Sequence, residues 1–423
     1  MNRWQIIKWG IIGLMMRLFL MPFTMHGMDL FFINYFPMMF VRNGIWDPYG
    51  YIHTNFSHFP YTYYAPALFI IMSFLNLLMI KFFNPLSLIK ILELSSAMMF
   101  KNFGTVDYVR ALSHHELIKN LFLMKTPYLI FDFLTAALLL KLAFSKDEAW
   151  KSYKLWIFNI VVLHSAYAVG QFDLITAFFI TAGLFAALKK RPYMCIVSLS
   201  LGGATKLFPY ILVLPAAFLL GNTWKTRFSL LLTAAMTSFV LYIPFYLSSG
   251  TVVFGSFTLG RYYEGVTRWI FAAIFVVLYA LLSIAALKDS KNPYCEKKLI
   301  FYFLTLGFLT YAVSPISFRY FTFVTPLLVL IIPRHKSFGI FILFIILMLA
   351  FVRLPDRDLQ LGMFAPINPD YFASLPTIQE VIGRHFDIGA IYKILSRMLL
   401  MSFFIAAWWI WRIKVKYEKR GYG

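Results

Sequence analysis

Leu155 to Arg191 reads LWIFNIVVLHSAYAVGQFDLITAFFITAGLFAALKKR. Two apolar runs, 155–169 and 174–188, flank Gly170-Gln171-Phe172-Asp173 and end in Lys189-Lys190-Arg191. As helices rising about 1.5 Å per residue, each reaches only ~22 Å, short of the ~30 Å of hydrocarbon in a bilayer. A polar hinge on one side and a basic end on the other therefore predict a helical hairpin. A second pair, 193–205 and 207–220, repeats the pattern around Thr205-Lys206-Leu207-Phe208-Pro209 and ends near Lys225 and Arg227.

The rest of the chain agrees with this reading. Its 423 residues are 61% hydrophobic and 13% charged, against about 25% charged in a soluble domain. The deficit and the many apolar runs predict an all-α, polytopic transmembrane helical bundle. A membrane-spanning barrel would need short alternating strands, which the pattern lacks. Net charge is +21, from 39 basic and 18 acidic residues. The cations sit in short loops between spans, where they orient the protein and attract membrane lipid; no nucleic acid is implied. The two cysteines, Cys195 in an apolar run and Cys295 in a basic loop, lack disulfide or metal-ligand spacing.

The first apolar run, about 6–23, has no small-residue cleavage site and is expected to be a retained span, with Arg17 inside it. Outer loop 24–60 follows, aromatic and histidine-rich with Arg42 as its one Lys or Arg. Residues 61–83 are apolar enough to span, 84–120 are mixed, and 121–144 form another span before a basic loop with Lys146, Lys151 and Lys154. Later spans are expected near 228–248, 267–287, 299–313, 319–333, 337–352 and 394–411, with 249–266 and 353–393 as outer loops. Both termini are expected to be cytoplasmic, which requires about 12 crossings, within a range of 10–14 set by residues 61–120.

Within that frame the chemistry-bearing residues cluster. Asp29, in Met25-His26-Gly27-Met28-Asp29, is a carboxylate where the first span gives way to water. Desolvation among aromatics would raise its basicity enough to take a proton from a sugar hydroxyl. Asp47, before Pro48, reads as a turn former. Tyr63 and Tyr64, in Tyr61-Thr62-Tyr63-Tyr64-Ala65-Pro66, are an interfacial aromatic belt or a stacking platform for a sugar ring. Lys125 and Asp132 lie seven residues apart on nearly the same helix face, so they pair or Lys125 meets a phosphate. Gln171, Asp173 and Lys206 occupy the two hinges. Arg261 and Arg319 are guanidinium candidates for a phosphate. Asp356-Arg357-Asp358 resembles a metal-binding pair but sits in a charge-balanced loop, and His114-His115-Glu116 lacks helical ligand spacing.

The order of these features resembles the GT-C superfamily of membrane glycosyltransferases that use polyprenyl- or dolichyl-phosphate sugars. The matching segments are Asp29, Tyr63-Tyr64-Ala65-Pro66, Lys125 through Asp132, Gly170-Gln171-Phe172-Asp173 and Lys206-Leu207-Phe208-Pro209. YTYYAP and KLFPYILVLP look most like the mannosyltransferases of that group. The likeness covers about residues 1–220, and 221–423 resembles the family in hydropathy only. A single Asp29 stands where a doubled acidic pattern is common, and Ala65 stands where a second proline or a threonine is usual.

The resemblance implies a catalytic transmembrane module over 1–220 and a variable one over 221–423. It also implies transfer of a hexose, with mannose favoured, from the lipid phosphate to a lipid or glycan acceptor on the extracytoplasmic face. Asp29 would be the general base, with Lys206, Arg319, Lys125, Arg261, Gln171, Asp173, Tyr63 and Tyr64 binding substrate. No nucleotide is implied, no metal ligand is assigned, and dependence on a divalent metal is left open. The compartment would be a plasma membrane, or the endoplasmic reticulum of a eukaryote. Two other readings fit hinged half-helices with intramembrane charges: a secondary transporter or lipid flippase, and a non-catalytic subunit of a glycosylation complex.

Overall fold

The computed structural model describes residues 3–55, 64–83, 109–110, 114–143, 145–250, 266–314 and 317–419. Among them every regular element is helical. In chain order the main helices are α1 (Arg3–Phe23), α2 (Gly27–Asn43), α3 (Pro48–Asn55), α4 (Pro66–Phe83), α5 (His114–Leu142) and α6 (Lys146–Ile157). Then come α7 (Asp173–Leu188), α8 (Pro192–Gly203), α9 (Tyr210–Leu220), α10 (Trp224–Ser249), α11 (Val266–Asp289) and α12 (Cys295–Val313). A 3₁₀ segment, Phe318–Phe323, leads into α13 (Thr325–Ile331), and α14 (Lys336–Arg353) and α15 (Ile388–Lys419) close the chain.

Among the described residues six helices are long and apolar enough to cross a membrane: α1, α10 and α14 in full, and Glu116–Leu142, Trp269–Asp289 and Ile388–Tyr417. Their outward faces expose large apolar side chains, among them Ile11 and Phe19 on α1 and Leu232 and Phe239 on α10. A protein solvated by water on all sides would bury such contiguous surface. Shorter apolar helices (α7, α8, α9 and Thr325–Arg334) fill the interior beside them.

One apolar core extends from Met21 through Leu212 and Phe308 to Ile413, so 1–220 and 221–423 pack around a shared interior. A separate, smaller cluster is built on Leu30, Tyr35, Phe36, Tyr49, Phe69, Leu121 and Phe245. That cluster changes the picture of segment 24–60, expected to be an aromatic loop. Most of it is helical: α2 ends where Gly44 takes φ 69°, and α3 begins at Pro48. Asp47 acts as the turn former, accepting from the backbone N–H groups of Tyr49 and Gly50 at 3.1 Å and from the Ser249 hydroxyl.

The arm expected over 155–169 is also different. The basic stretch before it folds as amphipathic α6, capped by Ser145, and the chain breaks at Phe158-Asn159. Asn159 then caps a new turn by accepting from Val161 and Val162 N–H, and a π-helix runs over Leu163–Val169. It ends at Gly170 with φ 87°, a left-handed conformation that glycine takes without steric cost. The span expected over 319–333 is likewise broken, into the 3₁₀ segment, α13 and a 3₁₀ turn at Ile332–Arg334.

Candidate functional site

Two buried cations hold the scaffold beneath the site. Arg17 on α1 pairs with Asp132 on α5 at 2.5 Å, with both side chains fully buried. The Trp156 indole and Tyr167 hydroxyl each donate to Asp132 at 2.7 Å, and Arg17 also donates to the Gly13 and Ile157 carbonyls at 2.9 Å. Charge burial on this scale is tolerated because nearly every donor and acceptor is used. Asp132 therefore pairs across helices with Arg17 and not with Lys125.

Lys125, also fully buried, donates to the carbonyls of Met21 (3.1 Å), Thr24 (2.5 Å) and Tyr167 (2.7 Å). These are end-of-helix carbonyls from α1 and the π-helix, the Tyr167 one shared with the Thr24 hydroxyl at 3.0 Å, and a cation suits the negative ends of two helix dipoles. The chain's own backbone thus occupies the ammonium that the sequence offered to a phosphate.

Above this scaffold the two hinges meet. Lys206 forms an ion pair with Asp173, and the Thr176 and Thr205 hydroxyls lie 2.9 Å apart. Three rings surround the Lys206 ammonium: Phe172 at 4.9 Å, Tyr320 at 3.9 Å and Phe323 at 5.2 Å to the ring centroid. The Lys206 side chain is 21% exposed while Asp173 is fully buried, so an incoming anion meets the cation first. Gln171 is 1% exposed, with its Nε2 unpartnered among the described residues; the same holds for His164 Nδ1 and Ser165 Oγ on the adjoining π-helix.

The other candidate segments dock on this junction. Tyr64 meets Phe172 edge-to-face at 5.1 Å, and Ala67 N–H donates to the Ala204 carbonyl at 2.8 Å. Leu30, in the first turn of α2, lies against Gly170 so closely that a Cβ there would sit 2.8 Å from its Cδ1. The backbone just before it is held by His26 N–H to Val169 O (3.3 Å) and Met25 N–H to Met363 O (2.9 Å). Asp29 is thereby placed in the α2 turn beside the hinge, and its side chain is outside the described residues. Arg319 stands next to Tyr320, with its guanidinium 5.6 Å from that ring, and within electrostatic range of His164. Segment 353–393 reaches the same place: His164 Nε2 bonds the Leu359 carbonyl at 3.0 Å.

So Gln171, Asp173, Lys206, Tyr64, Arg319 and the Asp29 turn converge, Lys125 supports them from below, and Tyr63 and Arg261 lie outside the described residues. Sequence reasoning missed His164, Ser165 and the Phe172–Tyr320–Phe323 ring set. A histidine within an apolar run was the available signal, because ionisable groups at that depth are costly unless used. Among the described residues no group of three His, Cys, Asp or Glu side chains is placed to hold a metal. Asp356 instead caps a turn, accepting from Asp358 N–H at 2.9 Å, and Arg357 pairs with Glu380.

Beside Tyr64, an apolar groove of about 260 Å³ opens between α2, α4 and α10, lined by Phe36, Trp46, Phe69, Phe74 and Phe245. Phe69 joins it to the junction, with its ring 6.5 Å from that of Tyr64. Fold and site together define an all-helical bundle of membrane-protein character with a cationic, aromatic-lined polar junction at one end. No family model, curated protein or solved structure matches the chain.

Proposed function

We propose that the protein is a membrane glycosyltransferase that moves a hexose, with mannose favoured, from a polyprenyl-phosphate donor to an acceptor hydroxyl on the extracytoplasmic side. The reading is carried by one observation: both hinges, the Arg319 segment and the first turn of α2 meet at a single junction. Lys206 and Arg319 are the cations for the donor phosphate. The adjoining groove offers an apolar bed for the first isoprene units, and the part-exposed Tyr64 offers a ring to a sugar.

In this mechanism the acceptor oxygen attacks the anomeric carbon as the bond from that carbon to the phosphate oxygen breaks. The hydroxyl proton passes to Asp29, and the lipid departs as a phosphate monoester carrying one more negative charge. Attack opposite to the leaving group inverts the anomeric centre. Lys206 and Arg319 take up the growing charge on the leaving group, where a preorganised cation stabilises a transition state most. Gln171 Nε2 supplies a further donor at the junction.

The test is a donor assay on purified protein. Asp29→Asn should lower turnover about 10²–10⁴-fold, the usual worth of a general base, with folding unchanged. Near-normal turnover would remove Asp29 from the mechanism. Solute counterflow in proteoliposomes without any transfer product would instead favour a transporter.

A further inference from the structure

The short helix Ile378–Gly383 is built inside out. Its polar side chains are used against the protein: Gln379 is buried, donates to the Phe351 carbonyl at 2.7 Å and accepts from Gln360 at 2.5 Å. Glu380 closes the capping box with Thr377 and pairs with Arg357 at 3.1 Å. Ile378 and Val381, three residues apart and so neighbours on another face, are 58% and 45% exposed, and Phe386 just beyond is 66% exposed. A surface meant for water would show the opposite arrangement, because burying those three side chains and hydrating the polar ones is the favourable choice.

What covers the apolar face follows from α15. Gly383 lies against Ile388, in the first turn of α15, so closely that a Cβ there would sit 2.9 Å from Ile388 Cγ1. Further along, Ile394, Met398, Met401, Ile405 and Trp408 are all exposed, at alternating spacings that draw one stripe down the helix. On a helix long and apolar enough to cross a membrane, such a stripe faces lipid. Arg412, Lys414 and Lys416 follow it. About twenty residues cover the ~30 Å of hydrocarbon, and counted back from Trp411 they reach Tyr392. Ile388 then stands about 6 Å above the hydrocarbon edge, within a headgroup layer about 5–8 Å deep. Lys393 and Arg397, exposed beside the top of the stripe, snorkel into the same layer.

We propose that residues 378–386 are an interfacial anchor. Ile378, Val381 and Phe386 dip into the headgroup layer of the leaflet at the junction end of the bundle, and Arg384, exposed beside them, meets lipid phosphates. The partner is the bilayer surface itself, and the inference is independent of the chemistry at the hinge junction. Upstream in the same segment, the bonds from His164 to the Leu359 carbonyl and from Met25 to the Met363 carbonyl reach the junction. The anchor therefore holds a strap between the membrane and the site.

A fluorophore of the nitrobenzoxadiazole type tests it on the full-length protein in phosphatidylcholine nanodiscs, attached at Val381→Cys or Phe386→Cys, with Met401→Cys as the lipid-facing reference. A Cys295→Ser background leaves Cys195 as the other thiol, and it is fully buried. Both anchor side chains are exposed, so their substitution leaves the fold in place. Lipid carrying a nitroxide on its headgroup should quench emission at 381 and 386, and more strongly than lipid carrying it deep in the acyl chain; at 401 that order should reverse. Quenching by aqueous iodide with none by either lipid would overturn the proposal, since the face would then be solvated. Protection from iodide and from both lipids would also overturn it, by showing the face covered by protein such as a second copy of the chain.

Discussion

Gly170→Ala is the perturbation that links fold to site most sharply. Gly170 has φ 87°, where an L-residue pays about 1–2 kcal/mol. Its new Cβ would lie 2.8 Å from Leu30 Cδ1 and 3.2 Å from Leu30 Cβ. Leu30 is fully buried, so it has little room to retreat, and overpacking of this kind costs about 1–3 kcal/mol. The expected total is about 2–5 kcal/mol. Reversible unfolding of the purified protein in mixed detergent micelles, followed by tryptophan fluorescence, would measure it. In a Leu30→Ala background the 2.8 Å clash with Cδ1 should vanish while the 3.2 Å contact with Cβ stays, so the cost should fall toward about 1–2 kcal/mol and a double-mutant cycle should return a coupling of up to about 1–3 kcal/mol. Leu30 adjoins Asp29, so turnover should fall further than the lost stability explains. Equal cost in both backgrounds would refute the packing of α2 on the hinge.

Other expected outcomes follow from the same contacts. Asp132→Asn should destabilise by about 3–5 kcal/mol in the same unfolding measurement, because Arg17 is left buried and uncompensated, and Arg17→Met in that background should recover part of the loss. Lys206→Met made together with Asp173→Asn, so that no carboxylate is left buried without its Lys206 counter-charge, should raise KM for a polyprenyl-phosphate donor at least tenfold, while Met still fills the space among Phe172, Tyr320 and Phe323. In segment 353–393, the Thr377 backbone N–H and then the Arg357 guanidinium hold the Glu380 carboxyl below the ordinary glutamate range. A lowered folded value means that the contribution is present above the unfolded value, about 4.3, and is lost as pH falls through the folded one. Amide protection over Ile378–Gly383, taken relative to intrinsic exchange at each pH, should therefore fall on acidification, and Glu380→Gln should remove that dependence.

Much of this was legible in the chain because lipid simplifies the code: apolar length gives spans, and polar interruptions within them give hinges. Gly170-Gln171-Phe172-Asp173 and Thr205–Pro209 fall where the sequence put them. The 24–60 segment misled because α2 is apolar nearly all round and holds Pro37, so it shows neither a polar face nor a helical period. Lys125 and Asp132 misled differently. A shared helix face is not contact, since seven residues separate them by about 10 Å along the axis, and Arg17 reached Asp132 from another helix. The Phe318–Phe323 turn could not be joined to Lys206 from sequence, because nothing local marks a contact more than a hundred residues away.

The most direct measurement is a structure of the protein with polyprenyl phosphate bound. The account expects the phosphate at Lys206 and Arg319, the isoprenoid in the groove beside Phe69 and Phe245, and Asp29 as the carboxylate across the sugar position from it. A phosphate seated away from both cations, or an Asp29 side chain turned out of the junction, would contradict it.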